Sequence, residues 1–209
     1  MTARQVARRL WFGDSGTLAN RKKRLCCSMT TTPLSHFLPD EAATDVLARA
    51  VASLVLQSMP NAVNSVASPT IAHDGATNGV AIYLQGNLGA GKTAFARAFL
   101  EHCGVKGRIK SPSYALLESY KVSSLYFYHI DFYRFNDPRE WEDAGFRDLF
   151  RPNAVVLIEW PEKAAGQLPS PDLHISLQYQ DEGRTAGLRA ETERGQQWLK
   201  TLTHHGSVT

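Results

Sequence analysis

Apolar residues recur at helical spacing between Asp40 and Met59. Ala43, Val46, Leu47, Ala50, Val51, Leu54 and Val55 fall on one stripe, and Asp40 is placed to cap the helix they predict. The stretch from Pro60 to Gly79 is small and polar without sustained periodicity, and reads as a long loop. A short apolar run, Val80 to Leu84, predicts a buried strand and ends in glycine-rich sequence. AFARAFLEHC follows, with Phe95, Ala98, Phe99 and His102 on one helical face. A Ser-Pro turn at Ser111-Pro112 leads into a predicted strand from Tyr114 to Tyr120, and SSLYFYHIDFYRF predicts an aromatic, alternating strand ending near Asp131. Asp137-Pro138 starts a short helix carrying Glu140 and Trp141 before Gly145. Ala154 to Glu159 (AVVLIE) is continuously apolar up to its final acid, the pattern of a strand covered on both faces. His174 to Tyr179 and Thr185 to Glu191 alternate as two antiparallel strands about the Asp181-Glu182-Gly183 turn, and a last helix spans roughly Arg194 to Leu202. No internal repeat is visible. The order of elements predicts a three-layer α/β domain with a mixed sheet, parallel around the Val80–Leu84 strand and antiparallel at one side.

Composition changes this picture mainly at the N-terminus. The 209 residues carry 23 Lys and Arg against 20 Asp and Glu, a formal charge of +3. Seven of those bases and one of those acids fall in residues 1–32, so that stretch carries +6 and the remainder −3. The basic balance is therefore no nucleic-acid footprint of the folded part. Residues 1–32 are Arg-rich and nearly free of acids, like a transit peptide in composition, but a disordered or artefactual extension, with Met29 as an alternative start, is the favoured expectation over targeting. The domain is expected over 33–203, with a tail at 204–209. Three cysteines without C-x-x-C spacing suggest neither a disulfide framework nor a zinc site. No apolar run approaches the roughly 20 residues that span a bilayer. A cytoplasmic protein without membrane contact is expected.

The candidate chemistry begins where the first buried strand ends. Gly86-Asn87-Leu88-Gly89-Ala90-Gly91-Lys92-Thr93 fills every fixed position of G-x-x-x-x-G-K-[ST]. Glycines let the backbone turn tightly and present its N–H groups to an anion. The following helix aims its free N–H groups and positive dipole end at the same place. Lys92 supplies charge for the outer phosphates, and the Thr93 hydroxyl can join an Mg²⁺ shell. A strand before and a helix after are the context this motif requires, so the domain is read as a P-loop NTPase. There is no N-K-x-D, and no D-x-x-G after a candidate metal strand, which favours adenine over guanine.

Such a loop needs an acid near the metal, usually at the end of a buried strand. Glu159, after AVVLI, is the preferred metal-shell residue. Asp131, after LYFYHI, would position water or complete the outer shell. Either can instead be a strand-end carboxylate that caps a helix. His129 and Arg134 flank Asp131. Arg134 either stabilises charge on a transferring phosphoryl group or pairs with an acid for structure. Trp160 either covers the site or packs in the core. Ser111 and Ser113 sit where a mobile segment sensing the third phosphate is often found.

Taken together, these stretches resemble the TsaE family, the small ATPases of bacterial tRNA threonylcarbamoyladenosine synthesis. The resemblance covers roughly Phe37 to Leu202. It rests on LPDEAAT from Leu38, GNLGAGKT from Gly86, KSPSYALLESY from Lys110, YHIDFYRFNDPREWEDAGFRD from Tyr128, LIEWPEK from Leu157 and LPSPD from Leu168. It implies that Leu88, Gly89, Ala90, Gly91, Lys92 and Thr93 bind ATP, and that Thr93 and Glu159 hold Mg²⁺. It implies further that Asp131 is needed for hydrolysis and that Glu41 lies near the nucleotide. Partner proteins TsaD and TsaB, rather than tRNA gripped directly, are the implied target of the nucleotide cycle. Asn87 replaces the usual Asp, Ser113 replaces Thr, and the loop before the phosphate strand is longer than usual. A small-molecule phosphotransferase and a nucleotide-gated binding module with negligible turnover are the alternatives. No Arg cluster after Glu159 reads as the lid that the first of these needs.

Overall fold

The computed structural model describes residues 34–59 and 79–204. The expected extension at 1–32, all but the last residue of the 60–79 loop, and 205–209 of the expected tail lie outside the described residues. In chain order the elements are β1 (Leu34–Leu38), α1 (Glu41–Ser58), β2 (Val80–Gly86), α2 (Lys92–His102), β3 (Leu117–Val122), β4 (Leu125–Asp131), α3 (Glu140–Asp143), β5 (Ala154–Glu159), β6 (Leu173–Gln180), β7 (Gly183–Ala190) and α4 (Glu193–His204). The strands form one sheet in the order β1-β7-β6-β2-β5-β4-β3.

The sheet is mixed, as its pattern predicts. β2 lies parallel to both β5 and β6, and β4 lies parallel to β5. β6 and β7 form the expected antiparallel hairpin, with β1 antiparallel beyond it. A second antiparallel pair, β3 with β4, closes the other edge. Only Ser123 and Ser124 separate these two strands, too short a connection for a parallel crossover.

Side-chain alternation sorts the sheet into two packed faces. Val80, Ile82 and Leu84 of β2, Val155 and Leu157 of β5, and Leu173, Ile175 and Leu177 of β6 share one cluster with Val51 and Val55 of α1, Phe95 and Phe99 of α2, and Leu199 of α4. The intervening residues face an aromatic layer in which Tyr128, Ile130, Val156 and Ile158 pack with Phe132, Trp141 and Phe146. Phe132 and Trp141 meet edge to face with centroids 5.8 Å apart. All six residues of β5 are buried, which accounts for its unbroken apolar run.

Local chemistry sets the helix ends. Asp40 caps α1 by accepting from the Ala43 N–H at 2.8 Å. The Asp172 carboxylate accepts from the Ala81 N–H at 3.1 Å and pairs with Arg194 at 2.7 Å, which ties the phosphate strand to α4. Two boundaries depart from the sequence pattern. β1 is absent from the expected elements because its five residues gain meaning only beside β7, a partner about 150 positions away in the chain. β3 starts at Leu117 rather than Tyr114. Leu116 sits in the left-handed region at φ 64°, with its N–H on Pro112 O at 2.7 Å, so the Ser-Pro turn extends that far. Among the described residues, no helix is long and apolar enough to cross a membrane.

Candidate functional site

The C-terminal ends of β2, β4 and β5 and the N-terminus of α2 open onto a cleft of about 410 Å³. Its floor is the glycine-rich loop. Gly86 has φ 145°, and a Cβ there would collide with the Leu177 carbonyl oxygen, so only glycine lets the chain leave β2 on this path. Gly91, at φ 104°, precedes α2 without a side-chain cap, which leaves the first-turn N–H groups free for a ligand. Ala90 is buried beneath the loop, and its N–H donates to Asn87 O at 3.1 Å.

Lys92 is 96% buried, lying back along this loop. Its Nζ donates to Gly86 O at 2.8 Å and to Asn87 O at 2.9 Å, and stands 4.0 Å from the centroid of the Trp160 ring. Burial lowers its pKa, while Glu159, Asp131 and Glu162 pull it upward.

Parallel pairing of β4 with β5 sets Asp131 opposite Glu159. Both belong to the odd-numbered set whose apolar members face α2, so both carboxylates stand at the α2 end of the sheet. The Thr93 hydroxyl donates to Glu159 Oε1 at 2.8 Å and lies 3.0 Å from Oε2. His129 Nε2 meets Glu159 Oε1 at 2.8 Å from the fully buried interior of β4. Asp131 is held separately. Its Oδ2 accepts from Ser113 Oγ at 2.7 Å, and its Oδ1 accepts from the Tyr133 N–H at 2.9 Å. Ser111 Oγ stands 2.8 Å from Ser113 Oγ and extends this relay outward.

Of the residues singled out from sequence, Leu88, Gly89, Gly91, Lys92, Thr93, Ser113, Asp131, Arg134, Glu159 and Trp160 line the cleft. Ala90 and His129 lie behind it, and Ser111 reaches it only through Ser113. His129 flanks Asp131 in sequence, but its ring serves Glu159, because residues two apart on a strand share a face and can reach the neighbouring strand. Glu41 opens α1 as an exposed residue and does not line the cleft. Arg134 makes no ion pair with an acid among the described residues. Its guanidinium lies 4.3 Å from the ring centroid of Tyr114, which is 85% exposed. Trp160 adopts φ 58°, ψ 48°, and this turn swings its ring between Lys92 and Tyr133. Such a backbone state is costly for a non-glycine residue and clusters at functional sites.

Three features escape the sequence reading. Tyr114 and Tyr133 line the cleft. Tyr179 donates to Leu88 O at 3.3 Å from the end of β6. Arg184 of β7 touches the loop at Gly91. Nothing in an alternating strand marks the one position that meets a loop nearly a hundred residues earlier.

The donor set suits a hard divalent cation: one hydroxyl, two carboxylates and no thiol. Its two carboxylates and a hydroxyl fall short of an all-protein cage, and no group of three or more His, Cys, Asp or Glu that could hold a metal occurs among the described residues. Mg²⁺ in phosphate-loop sites takes one or two protein oxygens and completes its shell with substrate phosphates and water.

Comparison with known proteins places these features in company. A family model described as threonylcarbamoyl adenosine biosynthesis protein TsaE matches residues 38–186. A relative from Haemophilus influenzae, described as tRNA threonylcarbamoyladenosine biosynthesis protein TsaE, is 40% identical over 125 residues, which cover 60% of this chain and 79% of the relative. A relative of the same description from Bacillus subtilis is 32% identical over 151 residues, covering 72% of this chain and 93% of the relative. The crystal structure of YdiB from Bacillus subtilis superposes with a TM-score of 0.60 at 26% identity, over 83% of this chain and 95% of YdiB.

Proposed function

The chain belongs to the TsaE family of threonylcarbamoyladenosine biosynthesis proteins, and from that membership and the cleft we propose that it is an Mg²⁺-dependent ATPase acting in this tRNA modification. One observation carries the reading. The phosphate-loop hydroxyl of Thr93 is bonded to Glu159 at the end of the neighbouring buried strand, with Asp131 in register beside it.

In this reading the loop N–H groups and the start of α2 cradle the phosphates, and Lys92 leaves its two carbonyl partners to reach the outer ones. Thr93 and Glu159 would hold Mg²⁺, Glu159 directly or through water, and the ion would offset negative charge as the terminal phosphoryl group is transferred. His129 fixes the orientation of Glu159 from behind. Asp131, aimed by Ser113 and the Tyr133 N–H, orients water for in-line attack on the terminal phosphorus. The bond to the bridging oxygen breaks, giving ADP and phosphate. Ser113 is placed to couple this position to the 111–113 segment, which gives that segment a way to sense the third phosphate.

The nucleotide cycle is proposed to act on partner proteins of the TsaD–TsaB type rather than to build the modified base. The slight negative charge of residues outside 1–32 fits a protein-facing role better than direct gripping of tRNA. The proposed setting is the cytoplasm. The test is reconstituted modification of tRNA with and without this chain, alongside ATP hydrolysis by the chain alone and with its partners. Full modification in its absence, or ATP consumption that yields a phosphorylated metabolite, would overturn the reading.

A further inference from the structure

The second face of the sheet is covered over only part of its width. Trp141, Phe146 and Ala164 pack there against β2, β4 and β5, in a cluster that contains no residue of β6, β7 or β1. Leu173, Ile175 and Leu177 of β6 belong to the opposite core, so alternation sets His174, Ser176 and Gln178 on the uncovered face. Tyr83 and Gln85 of β2 lie in register beside His174 and Ser176. The chain that leaves β5 overhangs this region. The Tyr83 hydroxyl donates to Pro169 O at 2.5 Å and ties that overhang to the sheet.

Two cavities, of about 420 and 310 Å³, lie between the overhang and β6, and they share Gln85 and Glu162. The larger runs behind the phosphate loop, lined by Gln85, Asn87, Gln178, Trp160 and Tyr179, with Glu162 as the one charged residue in its lining. The smaller continues between Pro161, Pro169 and Pro171 and His174. There Arg189 and Glu191 pair with each other at 2.8 Å. Glu162 is exposed and makes no ion pair among the described residues. Side-chain amides, two aromatic rings and a free carboxylate suit a guanidinium. The carboxylate matches its fork, amide oxygens accept from its other N–H groups, and a ring can stack on its plane. A nucleic-acid backbone would meet charge of its own sign here.

Resting on the partner-facing nucleotide role proposed above, we propose that this groove docks an extended segment of a partner protein whose arginine enters beside Glu162. The proline wall receives the rest of the segment. Trp160 lines both the groove and the nucleotide cleft, which gives the two a common wall. Lys92 stands 4.0 Å from the centroid of that ring and donates to Asn87 O at 2.9 Å. Burial lowers the pKa of Lys92, and Glu162 is among the acids that oppose this. A phosphate that draws Lys92 off the loop removes a cation from the shared wall and adds negative charge beyond it. Nucleotide therefore strengthens docking, and reciprocity demands that docking strengthen nucleotide binding by the same factor.

The test is an NMR titration of the full chain with the peptide acetyl-Gly-Arg-Gly-amide, with and without a saturating Mg²⁺ complex of a non-hydrolysable ATP analogue. The Gln85, Asn87 and Gln178 side-chain amides and the Trp160 indole N–H are expected to shift saturably, with a Kd of about 1 mM. Nucleotide should tighten this about fivefold. Citrulline in place of arginine, or Glu162→Gln in the chain, should weaken it about fivefold, and the variant should keep its melting temperature and its nucleotide affinity without peptide. Absence of a saturable shift, or equal binding of the citrulline peptide, overturns the docking site. Peptide affinity that nucleotide leaves unchanged overturns the coupling. A chain that takes up the peptide but no nucleotide overturns the ATPase reading instead, and one that binds nucleotide but not the peptide overturns the groove alone.

Discussion

Asp131 and Glu159 are direct partners across two parallel strands, yet each carboxylate answers to a different set of donors. Glu159 is engaged by Thr93 and His129, and Asp131 by Ser113 and the Tyr133 N–H. Adjacent acids with separate restraints can take separate roles. Glu159→Ala is expected to weaken Mg²⁺-ATP binding about tenfold or more and to lower turnover with it. Asp131→Asn keeps size and hydrogen-bonding capacity, and should lower turnover about 100-fold with little change in affinity. Calorimetry and partner-stimulated hydrolysis on both variants check this, and the opposite pattern would reverse the two roles.

His129 makes a narrower prediction. It touches Glu159 but not the cleft, so its influence on a ligand must pass through that carboxylate. His129→Phe should weaken Mg²⁺-dependent ATP binding about tenfold while leaving metal-free ADP binding nearly unchanged. Equal losses with and without Mg²⁺ would show that the ring shapes the loop instead.

Lys92 carries a pH dependence whose sign is fixed by its burial. Its pKa is lowered below the ordinary 10.5, so between that lowered value and 10.5 the unfolded chain binds more protons than the folded one. Stability is therefore expected to rise with pH across this window, the burial cost of the ammonium being fully present below it. Nucleotide affinity should fall over the same window as the charge is lost. Lys92→Met should flatten the stability component and abolish productive ATP binding or hydrolysis at neutral pH without unfolding the chain. Urea melts and ATP titrations of both proteins from neutral pH to about 10.5 measure both trends.

Gly86→Ala tests the backbone path that delivers the loop. The new methyl would meet a main-chain oxygen of β6, which cannot rotate away, at a φ that L-residues rarely adopt. A loss of about 3 kcal/mol or more is expected in denaturant unfolding, together with loss of nucleotide binding. A variant as stable as the parent would mean that β2 and β6 separate easily at this end.

The sequence reading was strongest where the signal is local. The Asp40 cap, the apolar α1 stripe, the filled β5 run and the phosphate-loop spacing each express one element's own physics, and each element lies where its pattern placed it. It was weakest where meaning depends on a distant neighbour. β1 is five alternating residues until β7 pairs with it, and His129 looks like a companion of Asp131 until β5 brings Glu159 within 2.8 Å. Arg184 was invisible for the same reason. Its address is a glycine 93 positions earlier in the chain, reached through the topology of the sheet.

The left-handed turn at Trp160 also gives the protein an optical reporter. Indole emission responds to nearby charge, and this ring lies 4.0 Å from the ammonium of Lys92. If Lys92 moves to a phosphate, the ring loses its cation and should change in brightness or colour. Trp141 and Trp198 are buried in the two apolar clusters, away from the cleft lining. Arrival and departure of nucleotide can thus be timed on the unlabelled chain by stopped-flow fluorescence, with Trp160→Phe as the control that shows what the other three tryptophans contribute.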